Sequence, residues 1–303
     1  MKISTQTGTF AKKYGDEKAI VMLAKAGFDA MDYSMYIHNA KDGIYTNKGF
    51  DKYAEKLKTV ADAAGIEFGQ IHAHMPSPSY PAYMENKELW DKLAVNAIIS
   101  AAIMDCPYVV VHPLIMLDRI YDHKYKENYE ANLEYYGKMA PYLKEYGVKI
   151  AIENMWHHDF EKDVICPSVC STWQEMTSLC HDLGEGFVTC LDVGHCILTG
   201  ETAHGMVRGL GDTLKCLHVH DNDGRDDNHD VPYNGFQIPM EFKGPEVKID
   251  WDEFMQALKD VNYTGTLSLE ADCFIRKFPS ELWEDAAAFM AKVTRHLAAK
   301  FDR

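Results

Sequence analysis

Histidines and carboxylates recur in this chain at one kind of place, directly after a short apolar run. Ile71-His72-Ala73-His74, Val111-His112-Pro113, Ile152-Glu153-Asn154, Leu191-Asp192-Val193-Gly194-His195, Leu217-His218-Val219-His220-Asp221 and Leu269-Glu270-Ala271-Asp272 all have this form. An apolar run of about four to eight residues bounded by polar ones marks a buried strand, so these side chains stand at strand ends. Carboxylates gathered at one point repel one another, and buried ones must be paired or bound to metal. A divalent cation resolves that conflict. His mixed with Asp and Glu suits Mn²⁺, Mg²⁺, Co²⁺, Zn²⁺ or Fe²⁺, and thiolate sites are not indicated.

Each signal has a plainer reading when taken alone. A strand-end His such as His72 or His74 is more often a hydrogen-bonded rim residue than a ligand. Asp192 with His195 is also the pattern of a helix cap, and Glu153 beside Asn154 is equally open. The repetition at six strand ends is what points to a metal site. Trp156, His157 and His158 follow the fifth strand and either line a pocket or lie exposed. No G-x-S-x-G elbow occurs, which argues against a serine hydrolase of that type. Cys196 reads as a core thiol before a nucleophile. The stretch Asp221 to Asp230 has five Asp among ten residues but lacks the EF-hand spacing and its terminal Glu.

The elements that must position these groups alternate along the chain. Strands are expected at Ile3–Thr7, Ala30–Ser34, Glu67–Ala73, Tyr108–His112, Lys149–Glu153, Phe187–Asp192, Cys216–His220 and Thr266–Glu270. Helices are expected near Asp16–Ala26, Lys48–Ala64, Lys87–Met104, Lys126–Tyr146, Ser171–Asp182, Thr202–Leu210, Asp250–Val261 and Glu281–Lys300. Gly27, Gly65, Gly147 and Gly184 suit helix C-caps, and Asp250 and Ser280 suit N-caps. Strands apolar on consecutive residues, such as Val109-Val110-Val111, suit a parallel sheet covered on both faces. Eight such units fit an α/β fold, a (β/α)8 TIM barrel, read as a single domain over residues 1–303. A Rossmann sheet would want a Gly-rich turn after the first strand, and Thr5-Gln6-Thr7-Gly8-Thr9-Phe10 is not one. Two connections are long, from Asn154 to about Cys170 after strand five and from Asp221 to about Ile249 after strand seven. Loops of that length tend to be functional, and these fall on the face where barrel active sites are built.

Composition bounds the partners. The chain has 46 acidic and 31 basic side chains, a formal net charge of −15, and 14 histidines. That balance argues against nucleic acid as a partner, since gripping a phosphate backbone relies on clustered Lys and Arg. No signal peptide or membrane span is evident, and the eight cysteines, without C-x-x-C pairs, suit reduced thiols. A cytoplasmic enzyme that does not contact membrane is expected.

Ile152-Glu153-Asn154, Leu191-Asp192-Val193-Gly194-His195, Leu217 to Gly224 and Leu269-Glu270 together resemble the motif set of the xylose isomerase-like TIM barrels. That superfamily includes sugar epimerases, hydroxypyruvate isomerase, inosose dehydratase and endonuclease IV. The resemblance covers nearly the whole chain in order and spacing. It implies a metal held by Glu153, Asp192, His218 and Glu270, with Mn²⁺ first among the expected ions and Mg²⁺, Co²⁺ and Zn²⁺ as alternatives. It implies that Glu153 and Glu270 double as an acid/base pair and that His195 faces a substrate hydroxyl. Further substrate contacts are expected from His72, His74, His112, Trp156, His157 and Arg225. The epimerases carry an Arg at the position of Gly224, one residue before Arg225, so this contact departs from their pattern. The endonuclease IV pattern would add ligands at His72 or His74, His112, Asp227 and His229. The implied activity is a sugar isomerase or epimerase acting on a ketose or keto-sugar. The same chemistry also serves lyases, dehydratases and C-deglycosidase subunits, and an endonuclease IV-like phosphodiesterase or a non-catalytic barrel are the other classes. A small sugar partner is expected, in a homo-oligomer or with a second kind of subunit. The segment from Pro232 to Asp250, including Phe236 to Phe242, is expected to lid the pocket or meet a neighbouring subunit.

Overall fold

Burial on alternate residues shows how the strands are used. Val109 and Val111 pack outward against the helices, while Val110 packs inward with Ala151, Val188, Cys190 and Cys216. A computed structural model describes residues 1–76, 79–116, 125–159, 162–233 and 249–301. Residues 234–248, most of the segment expected as a lid, lie outside the described residues.

Among the described residues, eight parallel strands form one sheet: β1 (Ile3–Gln6), β2 (Ala30–Ser34), β3 (Glu67–His72), β4 (Tyr108–Val111), β5 (Lys149–Glu153), β8 (Phe187–Asp192), β9 (Leu214–His218) and β10 (Leu267–Leu269). A hairpin of β6 (Trp156–Asp159) and β7 (Val164–Pro167) follows β5. The order β10-β1-β2-β3-β4-β5-β8-β9 leaves β9 and β10 as the ends of the sheet. A parallel bridge between Val219 and Leu269 draws those ends together. It consists of Val219 N–H to Ser268 O at 2.8 Å and Glu270 N–H to Val219 O at 2.9 Å. The result is a TIM barrel with its helices outside.

The helices follow the expected rhythm and add detail. They are α1 (Gly8–Tyr14), α2 (Asp16–Ala26), α3 (Phe50–Ala64), α4 (Ser79–Glu85), α5 (Lys87–Ile103), α6 (Tyr125–Gly137), α7 (Ala140–Tyr146), α8 (Trp173–Leu183), α9 (Val193–Leu198), α10 (Ala203–Leu210), α11 (Trp251–Asp260), α12 (Asp272–Ile275) and α13 (Trp283–Ala298). The helix expected over Lys126–Tyr146 is two helices. Pro141 lacks the N–H a continuous helix would use and instead sits in the first turn of α7. Asp250 caps α11 as expected, accepting from Asp252 and Glu253 N–H at 3.1 and 3.0 Å. Ser280 does not cap α13. It opens a 3₁₀ turn, and the helix begins after Leu282 without a side-chain cap. The connection after β5 is not structureless, since the β6–β7 hairpin occupies most of it. All eight cysteines are free. No described helix is long and apolar enough to cross a membrane.

Candidate metal centre and active site

Strand parity decides which side chains meet. Ala151 faces the barrel interior, so Glu153, two residues on, faces it at the C-terminal end. Cys190 and Asp192 share the inward face of β8, and Cys216 and His218 share that of β9. Asp192 and His218 are register partners, and the Val219–Leu269 bridge brings Glu270 beside them. Glu153, Asp192, His218 and Glu270 form one buried group whose ligand atoms all lie within 4.8 Å of one another.

His218 is at the centre. Its Nδ1 lies 3.0 Å from Glu153 Oε1 and 2.9 Å from Glu270 Oε2. Burial disfavours a charge on this ring, but Cys190, Glu153, Glu270 and Asp32 around it push its pKa well above the ordinary histidine value. Burial likewise opposes charge on Glu153, yet His218 and His112 outweigh it and hold the carboxyl well below the usual range. Glu270 is buried too and is held low chiefly by His218, then by His229.

Two further groups adjoin this one. His72, His112 and Glu153 form the first, with His112 Nε2 at 3.1 Å and His72 Nε2 at 3.7 Å from Glu153 Oε2. Burial, then the charge on His112, lowers the pKa of His72. His195, Asp227 and His229 form the second, with Asp227 Oδ1 at 3.5 Å from His195 Nε2 and 3.2 Å from His229 Nε2. Burial opposes charge on His195, but Asp192 and Asp227 push it up to about 10. His229 also rises to about 10 against its burial, through Asp227 and Glu270. Protons on such rings and a bound cation are alternative ways of offsetting the same carboxylates.

The donor set fits a divalent cation. It is oxygen and imidazole nitrogen, the mix that hard and borderline ions prefer. Glu153 Oε2 and Glu270 Oε2 are buried without a well-directed hydrogen bond. Buried acceptors left in that state are costly unless a positive centre meets them.

The other expected residues distribute unevenly. His74 does not join the groups: its strand ends at His72, the chain turns, and His74 Nε2 meets the His38 carbonyl at 3.0 Å. Trp156 presents an edge to His195 with ring centroids 6.4 Å apart. His157 is buried in the hairpin opposite Cys166, and Arg225 is exposed. Sequence reasoning passed over Asp32, Gln6 and Gln70. Asp32 is fully buried on β2 with its Oδ2 3.0 Å from His218 Nε2. Gln6 Nε2 donates to Glu270 Oε1 at 2.6 Å. A signal was present, because a carboxylate inside Ala30-Met31-Asp32-Tyr33 and an amide inside Phe68-Gly69-Gln70-Ile71 interrupt apolar strands.

Comparison with known proteins gives a consistent picture. The family model described as the xylose isomerase-like TIM barrel matches residues 20–293. An uncharacterized protein of Methanocaldococcus jannaschii is 27% identical over 206 residues, 66% of this chain and 64% of its own length. One of Sinorhizobium fredii is 25% identical over 217 residues, 70% of this chain and 62% of its own. The chain therefore spans under two thirds of the length of these two relatives. Among solved structures, a D-tagatose 3-epimerase-like protein superposes with a TM-score of 0.73 at 20% identity, covering 100% of this chain and 98% of that one. A 3-keto-D-glucoside 4-epimerase from E. coli superposes at 0.67 and 12% identity, covering 96% and 99%. At such identities the likeness is one of fold.

Proposed function

The chain belongs to the xylose isomerase-like TIM barrel family, and from that premise we propose that it is a divalent-metal-dependent isomerase or epimerase of a ketose or keto-sugar. The observation that carries this reading is the pair of buried glutamates, Glu153 and Glu270, meeting one nitrogen of His218 at 3.0 and 2.9 Å. Glu153, Asp192, His218 and Glu270 would hold the metal, with Mn²⁺ the first candidate. When bound, the metal supplies Lewis acidity, drawing off the negative charge that develops on a carbonyl as the neighbouring C–H bond breaks.

The remaining work falls to the protein. The glutamates come from β5 and the end of β10, which are separated by β8 and β9 on one side of the ring and by β1 to β4 on the other. One carboxylate takes the proton from carbon, and the other, after taking up a proton from solvent, gives one back from the opposite side. Return to the same carbon inverts it. Return to the neighbouring carbon gives the isomer. Departure of a β-substituent instead gives lyase or dehydratase chemistry, or C-deglycosylation of a keto-glycoside. Gln6 holds Glu270 Oε1 in place, and His195 and Trp156 border the space where a hydroxyl would sit. His112 and His72 offer further contacts beside Glu153. In this reading residues 1–303 act as one domain on a small sugar, within an oligomer.

A second reading has its own observation. The flanking groups His72–His112–Glu153 and His195–Asp227–His229 would give three adjoining cation sites. That arrangement suits a phosphodiesterase of the endonuclease IV kind, although the net charge of −15 opposes a polyanionic substrate. The test is solvent deuterium incorporation across ketoses and keto-glycosides with Mn²⁺ present. Label at the carbon next to the carbonyl supports the sugar reading. No label in any of them, with incision of a duplex containing abasic sites, replaces it by the second.

A further inference from the structure

Asp32 has no place in the metal set, yet it is the partner of that set's histidine. His218 and Asp32 are both fully buried, and His218 Nε2 lies 3.0 Å from Asp32 Oδ2. Gln70 Nε2 donates to the same oxygen at 2.9 Å and also reaches the Leu217 carbonyl at 3.3 Å. The other oxygen, Asp32 Oδ1, is buried with no hydrogen-bond partner. A carboxylate with an orphaned oxygen in a barrel interior is costly unless its charge has a task. Here the charge is aimed at one imidazole nitrogen, and the other nitrogen of the same ring faces Glu153 and Glu270.

We propose that Asp32 is a positioning residue that keeps the hydrogen of His218 on Nε2 and thereby presents Nδ1 as the metal-binding lone pair. The inference rests on the metal reading given above and names the residue that fixes the ligand atom. With a cation on the Nδ1 side, two features oppose the other tautomer. With hydrogen on Nδ1 and a lone pair on Nε2, the ring would turn that lone pair onto the buried carboxylate of Asp32. It would also point a proton at the place where Glu153, Glu270 and the cation meet. Gln70 prevents Asp32 from turning away, since it anchors Oδ2 from β3 while tying itself to β9. A carboxylate behind a ligating histidine orients the ring and raises its basicity, and its loss typically costs about 10–100-fold in metal affinity.

The experiment uses the full chain loaded with Zn²⁺, which is diamagnetic. Long-range ¹H–¹⁵N correlation spectra of ¹⁵N-histidine-labelled wild-type protein report which nitrogen of His218 is protonated and which is bound. Hydrogen on Nε2 with metal on Nδ1 is expected. Asp32→Asn, which keeps an acceptor for His218 and removes the charge, is expected to bind Zn²⁺ about 10–100-fold more weakly by chelator competition. Metal on Nε2 of His218 overturns the assignment without needing any variant. Asp32→Asn binding within twofold of wild type overturns it too, and leaves the metal reading standing. Wild-type protein that takes up no Zn²⁺ overturns both.

Discussion

Gly194 is a position where a single methyl group should be costly to the site. It lies in the first turn of α9, inside the Asp192–His195 segment. A Cβ there would stand 2.0 Å from His220 Cε1, 2.6 Å from Nε2 and 2.8 Å from Nδ1. Carbon atoms sit about 3.5–4.0 Å apart at contact, so the ring would have to retreat by roughly 1.5 Å. It is not free to do so. Its Nδ1 is 2.9 Å from the Asn228 carbonyl, its Nε2 is 3.1 Å from both oxygens of Asp192, and it stacks on His229 with centroids 4.1 Å apart. Losing the bond to the charged Asp192 costs about 1.5–3 kcal/mol. Overpacking adds about 1–3 kcal/mol. Helix propensity returns only about 1 kcal/mol, so the clash wins and Gly194→Ala should lose about 2–5 kcal/mol of stability. Metal affinity should fall as well, because Asp192 loses its orienting partner. Urea unfolding of metal-free protein measures the first effect and chelator competition the second. Gly137→Ala, with nothing within 4 Å of the added methyl, is the control and should be neutral or slightly stabilising. A Gly194→Ala protein as stable as wild type, with unchanged affinity, would mean that the His220 ring moves aside at no cost.

Two other outcomes follow from the surroundings of the site. Burial lowers the His74 pKa from 6.5 to about 4, against the hydrogen bond to His38, so the unfolded chain binds the extra proton first as pH falls. Stability from this residue is therefore complete above about pH 6.5 and is lost as pH falls toward 4, by up to ~3 kcal/mol; a His74→Gln series of urea midpoints should lose that part of the slope, and an unchanged slope contradicts it. Asn154 donates to the Asp192 carbonyl at 2.9 Å and accepts from the Asp192 N–H at 2.6 Å, tying β5 to β8 at the rim. Asn154→Ala takes the acceptor from the buried Asp192 N–H, while the Asp192 carbonyl keeps the Cys196 thiol at 3.1 Å, and should cost roughly 1–3 kcal/mol in thermal or urea unfolding; a loss under about 0.5 kcal/mol, the scale of an ordinary surface substitution, would show that water replaces the side chain.

Much of the barrel could be read from the sequence because its strands advertise themselves. Val109-Val110-Val111 and Ile150-Ala151-Ile152 are apolar on consecutive residues, and the polar residue that follows marks the rim. The bounds of Ala30–Ser34, Lys149–Glu153 and Phe187–Asp192 match the observed strands residue for residue. The β6–β7 hairpin is not marked in the sequence, because Trp156-His157-His158-Asp159 has neither an apolar run nor alternation. His74 stands apart from the groups at the site for a geometric reason. Residues two apart share a face only while the strand continues, and β3 stops at His72. Asp32 lies inside a strand rather than after one, so the strand-end pattern does not mark it. Its role depends on His218 of β9, a residue distant in sequence whose ring orientation no one-dimensional pattern encodes.

In the proposed reaction Glu153 and Glu270 move a proton to and from a carbon of the bound sugar. The most direct test is the rate of deuterium exchange from D₂O into a reactive ketose or keto-glycoside, measured for wild type, Glu153→Gln and Glu270→Gln at saturating Mn²⁺. Exchange is expected with wild type, with a loss of about 10²–10⁴-fold in each variant, the usual worth of a positioned acid or base. Exchange near the wild-type rate in both variants would contradict it.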